Sequence, residues 1–411
     1  MYFTARGLLY GESRPPGYWH RLDDRAGGAG PVTAERLGEI EALGYLSTSR
    51  RRPGEAGVLI SDRSRVYAGL NLYSSGHAPE ALLMTADGDI VHRWRVEFDV
   101  VFPDQPAESR NQNQHTLRRV DLLADGSLIA IFEGLGIVKL GRDSRVIWSL
   151  REAAHHDFFP TADGGAVVLT RAARPLEVED RSVILLEDFV VRLDGDGRPV
   201  SRASIVEAVR ESRYYGLYSV PTPPGLVSTH ETVEMFHTNT LEPLAGGCIP
   251  PIEVACDQAV LVSFPFTNTV GLLDLGDGEL IWALSGLFDG QHDPSLLPNG
   301  RLLLFDNGRS RQASRVIEVD PLDGSVVWEY GGSDEERFYS WCCSTVQALP
   351  NGNRLITVTD EGRAFEVTPD HEVVWEFWSP HRAGEEEQFV AALWEVQRVG
   401  SDRLGWLETV P

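Results

Sequence analysis

The chain has 411 residues, with 37 Lys plus Arg against 61 Asp plus Glu and a formal net charge of −24. That balance argues against a nucleic-acid-binding surface, which needs clustered cations for phosphate, and against a polybasic membrane-surface protein. A small anionic ligand stays open, because it responds to the local field of a pocket rather than to the global sum.

Residues 1–56 are polar and Gly-rich, and the spacing predicts one short helix over Ala34–Leu43 with Thr33 as its N-cap. Met1 to Leu9 lacks an apolar core of signal-peptide length, and no run of about 18 apolar residues follows that would span a membrane. The expected location is therefore the cytoplasm, or the periplasm or exterior if an N-terminal leader has been trimmed. From residue 57 onward one unit recurs: an apolar run, an Asp-Gly or Asn-Gly turn, a second apolar run, and a third segment ending in Val-Val-Trp or a variant. Asp121–Gly126 leads to Trp148, Thr161–Leu169 to Phe189–Gly195, Leu296–Phe305 to Trp328, and Ala348–Ile356 to Trp375. Trp282, Trp328 and Trp375 are spaced by 46 and 47 residues.

Asn-Gly and Asp-Gly supply the positive φ of tight hairpins. Four short strands per ~45 to 55 residues is the pattern of propeller blades. The predicted fold is all-β: a six-bladed β-propeller over 57–411 preceded by the N-terminal extension. Five blades centre on 115–150, 156–200, 237–284, 292–330 and 344–377. The sixth combines strands from 57–100 with C-terminal strands near Val390–Val399 and Leu404–Glu408. The repeated Trp is read as packing between blades. Residues 201–236 interrupt the pattern with a helical piece near Ile205–Arg213 and a Pro-rich loop.

Of the four cysteines, Cys248 and Cys256 share one Pro- and Gly-rich loop and could bridge. Cys342 and Cys343 are adjacent and read as buried thiols. Without a C-x-x-C pair a structural zinc site is not expected. The histidines carry more information through their register. His156 and His292 each lie eight residues before the Gly of their turn, Gly164 and Gly300. The same offset gives Arg118 before Gly126 and Ser344 before Gly352, and His237 falls nine before Gly246. In a propeller this slot starts the innermost strand, so Arg118, His156, His237, His292 and Ser344 should ring the channel, with His115, His155 and Asn239 beside them. One such His alone would read as structural; several in equivalent slots point to a shared site. A guanidinium and several imidazoles suit a sulfate- or phosphate-like anion. Three His around a metal with an open position is the alternative, with Asp157 and Asp293 as orienting groups or ligands. No nucleotide fingerprint is present, and no cofactor is expected.

Gly76–Met84, His155-His-Asp157, His237-Thr-Asn239, Gln291-His-Asp293 with Leu297–Asn307, and Leu349–Ile356 together resemble the bacterial arylsulfotransferases that do not use nucleotide sulfate. The likeness runs in order over roughly residues 60–380, and the Gln-His-Asp stretch with its Asn-Gly-Arg-Leu-Leu-Leu-Phe-Asp-Asn sequel is its most specific part. It implies transfer of a sulfuryl group from an aryl sulfate to a phenol through a sulfo-histidine. By resemblance His292 is the nucleophile, His237 and Asn239 hold sulfate or phenolic oxygens, and His156 or His155 polarises the bond or moves a proton. One departure stands out: the family's Ser-x-Arg motif corresponds to Val262–Phe266, with Pro265 where Arg is expected. Proline offers no anion donor, so Arg118, Arg309 or Arg311 would have to replace it. The lost arginine leaves room for a non-catalytic propeller that binds an anionic or aromatic ligand or a protein partner.

Overall fold

The computed structural model describes residues 18–21, 55–104, 112–178, 181–217, 232–244, 259–332, 337–385, 387 and 389–407. The expected helix over Ala34–Leu43 and the Cys248 and Cys256 pair lie outside the described residues. Six antiparallel sheets form the blades of a propeller. From the axis outward, blade 1 joins Leu393–Val399, Leu70–Ser75, Glu80–Met84 and Ile90–Arg95. Blade 2 runs Arg119–Leu122, Leu128–Phe132, Gly136–Leu140 and Val146–Leu150. Blade 3 holds Ala154–Pro160, Ala166–Val178, Arg181–Leu193 and Pro199–Ser204. Blade 4 comprises Thr240–Pro243, Ala259–Phe264, Thr269–Asp274 and Glu279–Ser285. Blade 5 contains His292–Leu296, Leu302–Asp306, Arg315–Val319 and Val326–Tyr330. Blade 6 is built from Thr345–Ala348, Arg354–Val358, Arg363–Val367 and Val373–Trp378.

The ring closes in blade 1, where the C-terminal strand Leu393–Val399 pairs with Leu70–Ser75. Two details differ from the sequence reading. Residues 404–407 form a turn and no closing strand. The strand Gly57–Ser61 joins blade 6 as its fifth, outermost strand, against Val373–Trp378, and not blade 1. The predicted helical piece is Ile205–Arg210, N-capped by Ser204, whose hydroxyl accepts from the Glu207 amide. Its apolar face (Ile205, Val206, Ala208, Val209) is buried in the cluster shared by blades 3 and 4. A further short strand, Thr232–Glu234, runs parallel to the third strand of blade 3 and leads into His237.

The repeated Trp does pack between blades. Trp94 Nε1 donates to the Gly126 carbonyl of blade 2 (3.1 Å), Trp328 Nε1 to Pro369 of blade 6 (3.0 Å) and Trp375 Nε1 to Ala86 of blade 1 (2.8 Å). Trp94 and Trp375 are buried and Trp328 is half-buried, and each keeps its one donor satisfied by a turn of the next blade. Trp148 instead lies over Gly197, which has a φ of +76° and where a Cβ would stand 2.6 Å from the indole. Gly278 has a similar φ of +72° but open space around it. Replacing either by Ala costs backbone strain. We expect Gly197→Ala to lose about 1–3 kcal/mol more than Gly278→Ala through overpacking of the Trp148 seam, measured as the difference in urea midpoints. Equal losses would mean that Gly197 is needed only for its turn.

Candidate functional site

The inner strands begin at one end of the channel, and there the backbone departs from ordinary β geometry. His156 (φ +55°), His237 (+53°), Asp293 (+54°), Cys343 (+61°) and Ser344 (+76°) all sit in the left-handed region. Non-glycine residues hold that conformation only where surrounding bonds impose it, at roughly 1–3 kcal/mol each. The imposing bonds are visible. Asp157 accepts from the Leu241 amide of blade 4 (2.8 Å), and Asp293 accepts from the Val346 amide of blade 6 (2.7 Å). Both His-Asp aspartates therefore tie one blade to the next, a use that neither orientation of a neighbour nor ligation had suggested. Asn239 is also engaged at a seam, donating to the Gln291 carbonyl (3.0 Å). Ser344 exchanges bonds with Thr359 of its own blade: its amide donates to Thr359 Oγ1 (2.9 Å) and its Oγ accepts from the Thr359 amide (3.0 Å).

The remaining slots hold the histidines and Arg118. His155 and His156 meet through their Nδ1 atoms at 2.9 Å, and His155 Nε2 lies 3.3 Å from Asp188. A proton on His155 Nε2 toward Asp188 makes His156 Nδ1–H the donor of the pair and leaves His156 Nε2 with its lone pair. Glu133, from the second hairpin of blade 2, accepts from the His156 amide at 2.9 Å. The His156 ring meets His237 edge-on at 4.8 Å, and His237 stacks on Phe266 at 4.8 Å with 12° between planes. His237 Nδ1 lies 2.7 Å from Glu234 Oε1, so this ring too carries its proton on Nδ1 and presents Nε2. Burial, then the neighbouring His237 and His155, keep the His156 pKa well below 6.5. Asp188 is held far below the ordinary range, because Arg171 and His155 outweigh its burial.

His292 does not touch this group. Asn307 donates through Nδ2 to the carbonyls of Ser340 (2.9 Å) and Cys343 (3.1 Å), so its Oδ1 faces His292 Nδ1 at 2.8 Å as an acceptor. The Cys343 amide then donates to His292 Nε2 at 3.1 Å. His292 is thus a neutral Nδ1–H tautomer with its nucleophilic nitrogen capped by a backbone amide. Burial first, and the charge of Arg309 second, hold its pKa well below 6.5.

Arg118 lies between the two histidine groups. Its guanidinium covers the Trp394 ring at 4.7 Å, and its field acts on His156, His292, Cys343 and Glu133. Among the described residues this guanidinium has no hydrogen-bond or ion-pair partner, while the Arg118 amide donates to the Ile131 carbonyl (2.8 Å). Arg309 is committed to the Trp341 carbonyl (3.0 Å) and Arg311 to Asp306 (3.0 Å). Of the three arginines considered as replacements at Pro265, Arg118 is the one left to receive an anion. Ligand atoms of Glu133, His155 and His156 lie within 4.8 Å of one another and could hold a metal ion. The charges of Arg118 and Arg171 beside His156 work against a cation there.

A second layer escaped the register argument. One residue further along each inner strand come Arg119, Asp157 and Asp293, joined by Glu242 and Glu395. Arg119 bonds Asp157 (2.8 Å) and Glu395. One cation cannot neutralise four carboxylates, so some keep their protons: burial and Asp293 push Glu242 up to about 8, and burial and Glu395 push Asp293 up to about 7. The offset of seven residues before Gly126, Gly164 and Gly300 was the available signal. Glu133 and Glu234 come from a turn and an inserted strand, so no register could have found them.

The arylsulfotransferase (ASST) family profile matches residues 119–380, the region that contains all these groups except Arg118, Trp394 and Glu395. The chain belongs to that family. Among curated proteins none matches it. Similar solved structures include a Bacteroides caccae protein of unknown function (13% identity, 80% of this chain and 98% of that one, TM-score 0.49). Two others are the Cps50 (Swd1) β-propeller domain of Myceliophteria thermophila (12%, 82% and 99%, 0.43) and virginiamycin B lyase of Staphylococcus aureus (10%, 85% and 98%, 0.43). Among the described residues no helix is long and apolar enough to cross a membrane.

The carboxylate layer has a measurable consequence. A carboxyl whose folded pKa is raised binds more protons folded than unfolded, so stability is lost as pH rises from about 4.5 toward 8 for Glu242. Glu242→Gln should therefore raise the melting temperature by a few degrees at pH 9 and scarcely change it at pH 4.5. A gain independent of pH would show that Glu242 is ionised in the folded protein.

Proposed function

We propose that the protein transfers a sulfuryl group from an aryl sulfate ester to a phenol through His292. The observation that carries this reading is the combination of a neutral, buried His292 oriented by Asn307 with a free Arg118 guanidinium nearby. A neutral imidazole attacks sulfur through Nε2, the S–O(aryl) bond breaks, and a phenolate leaves. The Cys343 amide that now caps Nε2 must turn aside; it is then a donor for a sulfuryl oxygen, while Arg118 balances the charge on the others. His237, held by Glu234 as a Nδ1–H tautomer and with 27% of its side chain exposed, takes the acceptor phenol's proton on Nε2 as that oxygen attacks the sulfo-histidine, and as the imidazolium it hands the same proton to the phenolate that leaves in the next cycle. Phe266, stacked on His237, offers a face for an aryl ring.

With p-nitrophenyl sulfate and a phenol acceptor, the wild type should turn over and His292→Ala should not. Arg118→Gln should lower kcat/KM by about 10²–10³-fold with little change in stability. Unchanged turnover in His292→Ala would overturn the reading. The capped Nε2 and Pro265 favour one alternative, a propeller that binds an anionic aromatic ligand without transforming it. Binding of the sulfate ester, lost in Arg118→Gln, with no turnover by the wild type, would establish that alternative.

A further inference from the structure

The thiols of Cys342 and Cys343 stand beside the site with no part in the transfer. Both are buried, with their sulfur atoms 3.5 Å apart, in a cluster with Trp394, Tyr18 and Trp341. The peptide group between them is also the one that holds His292: its N–H is the Cys343 amide that donates to His292 Nε2. Its carbonyl, that of Cys342, accepts from Ser340 Oγ at 2.7 Å. The Cys343 carbonyl in turn receives Asn307, whose Oδ1 receives His292 Nδ1–H. His292, Asn307 and Cys343 thus close a ring of hydrogen bonds, and both imidazole nitrogens depend on the backbone of one cysteine.

We propose that Cys342 and Cys343 are a reversible modification site for small aryl disulfides, and that oxidation of the pair uncaps His292 Nε2. One protein thiolate attacks the reagent disulfide, forming a mixed disulfide and expelling one aryl thiolate. The second protein thiolate attacks the mixed disulfide at the protein sulfur and expels the other. The two cysteines lose two electrons and two protons, and the reagent becomes two thiols. The new S–S bond closes a small ring that contains the intervening peptide. The sulfur atoms must close from 3.5 Å to the ~2.05 Å of a disulfide inside an eight-membered ring, and adjacent Cα atoms at ~3.8 Å lie below the usual disulfide span, so the ring is strained and the intervening peptide must reorient to close it. Twisting it turns the Cys343 N–H away from His292. The environment suits the first attack: the hydrogen bond from Cys342 and the charge of Arg118 favour the Cys343 thiolate against its burial. Oxidation at this site needs only the thiols; its effect on turnover rests on the proposed role of His292.

The test treats the full chain with 2,2′-dithiodipyridine and then with dithiothreitol. The tryptic peptide from Phe338 to Arg354 holds only these two cysteines. Its mass should fall by two hydrogens on treatment and recover on reduction. In parallel, the His292 imidazole signal, assigned by its loss in His292→Gln, should shift, and its pKa should rise once the amide no longer occupies Nε2. In Cys342→Ser, which keeps Cys343 and its amide, the reagent should leave the His292 signal in place. Accumulation of the mixed disulfide alone, or an internal disulfide with an unmoved His292 signal, would overturn the proposal. Absence of sulfuryl transfer by the wild type would end the functional reading and leave both measurements standing.

Discussion

The molecule depends on a single device: polar side chains on or beside the inner strands bond to the backbone of the next blade. Asp157 joins blade 3 to blade 4, Thr240 accepts the Asp293 amide between blades 4 and 5 (3.1 Å), and Asp293 joins blade 5 to blade 6. Thr357 accepts the Val396 amide between blades 6 and 1 (3.0 Å), and Gln397 donates to Val120 between blades 1 and 2 (3.0 Å). Glu133 closes the circuit by taking the His156 amide between blades 2 and 3. A propeller's inner strands splay where they leave the axis, so their terminal amides lose sheet partners. Buried amides left unpaired cost about 1–3 kcal/mol each. The staples remove that cost and fix each blade's angle to its neighbour.

The same device builds the site. Two of the captured amides belong to residues outside the β region: the His156 N–H goes to Glu133 at a φ of +55°, and the Asp293 N–H goes to Thr240 at a φ of +54°. A side chain carried on such a residue points along the channel mouth instead of alternating across the sheet. Histidines are thus placed by their backbone, and second residues set their tautomers: His155 for His156, Glu234 for His237, Asn307 for His292. Each keeps a proton on Nδ1 and turns Nε2 toward the site, and for the buried His156 and His292 this presents a lone pair without the burial of a charge.

The sequence was legible where a period repeats. Tryptophans at 46 and 47 residue spacing and the Asn-Gly and Asp-Gly turns revealed the blades, because a repeated unit must repeat its packing and its turn chemistry. The slot eight residues before each turn glycine located Arg118, His156 and His292 for the same reason. Legibility ended where the repeat does. Gly57–Ser61 reads as a strand, but its place on blade 6 depends on where the ring closes, which no local pattern encodes. Glu234 arrives on a strand inserted after a helix, and Cys343 acts through its amide, a group every residue but proline carries. Ser344 shared the register of the histidines yet spends its hydroxyl on Thr359, since a side chain that short bonds its own hairpin before it reaches the axis.

Charge shows how these layers work together. The surface of a chain at −24 repels a sulfate ester at long range, screened beyond about 10 Å in ordinary salt. Inside the channel the balance differs by layer. Arg171, Arg309 and Arg119 are each tied to an internal acceptor, so they add structure but little capacity for a further anion. Below the histidines the carboxylates of Glu242 and Asp293 hold protons near neutrality, so the layer beneath the site carries less negative charge than its composition suggests. Arg118 is held by the face of Trp394, an attraction that positions a guanidinium without satisfying its hydrogen-bond donors. A cation with unspent donors above a partly protonated floor is what the proposed sulfuryl transfer requires, and it arises here on blade 2, far in sequence from Pro265.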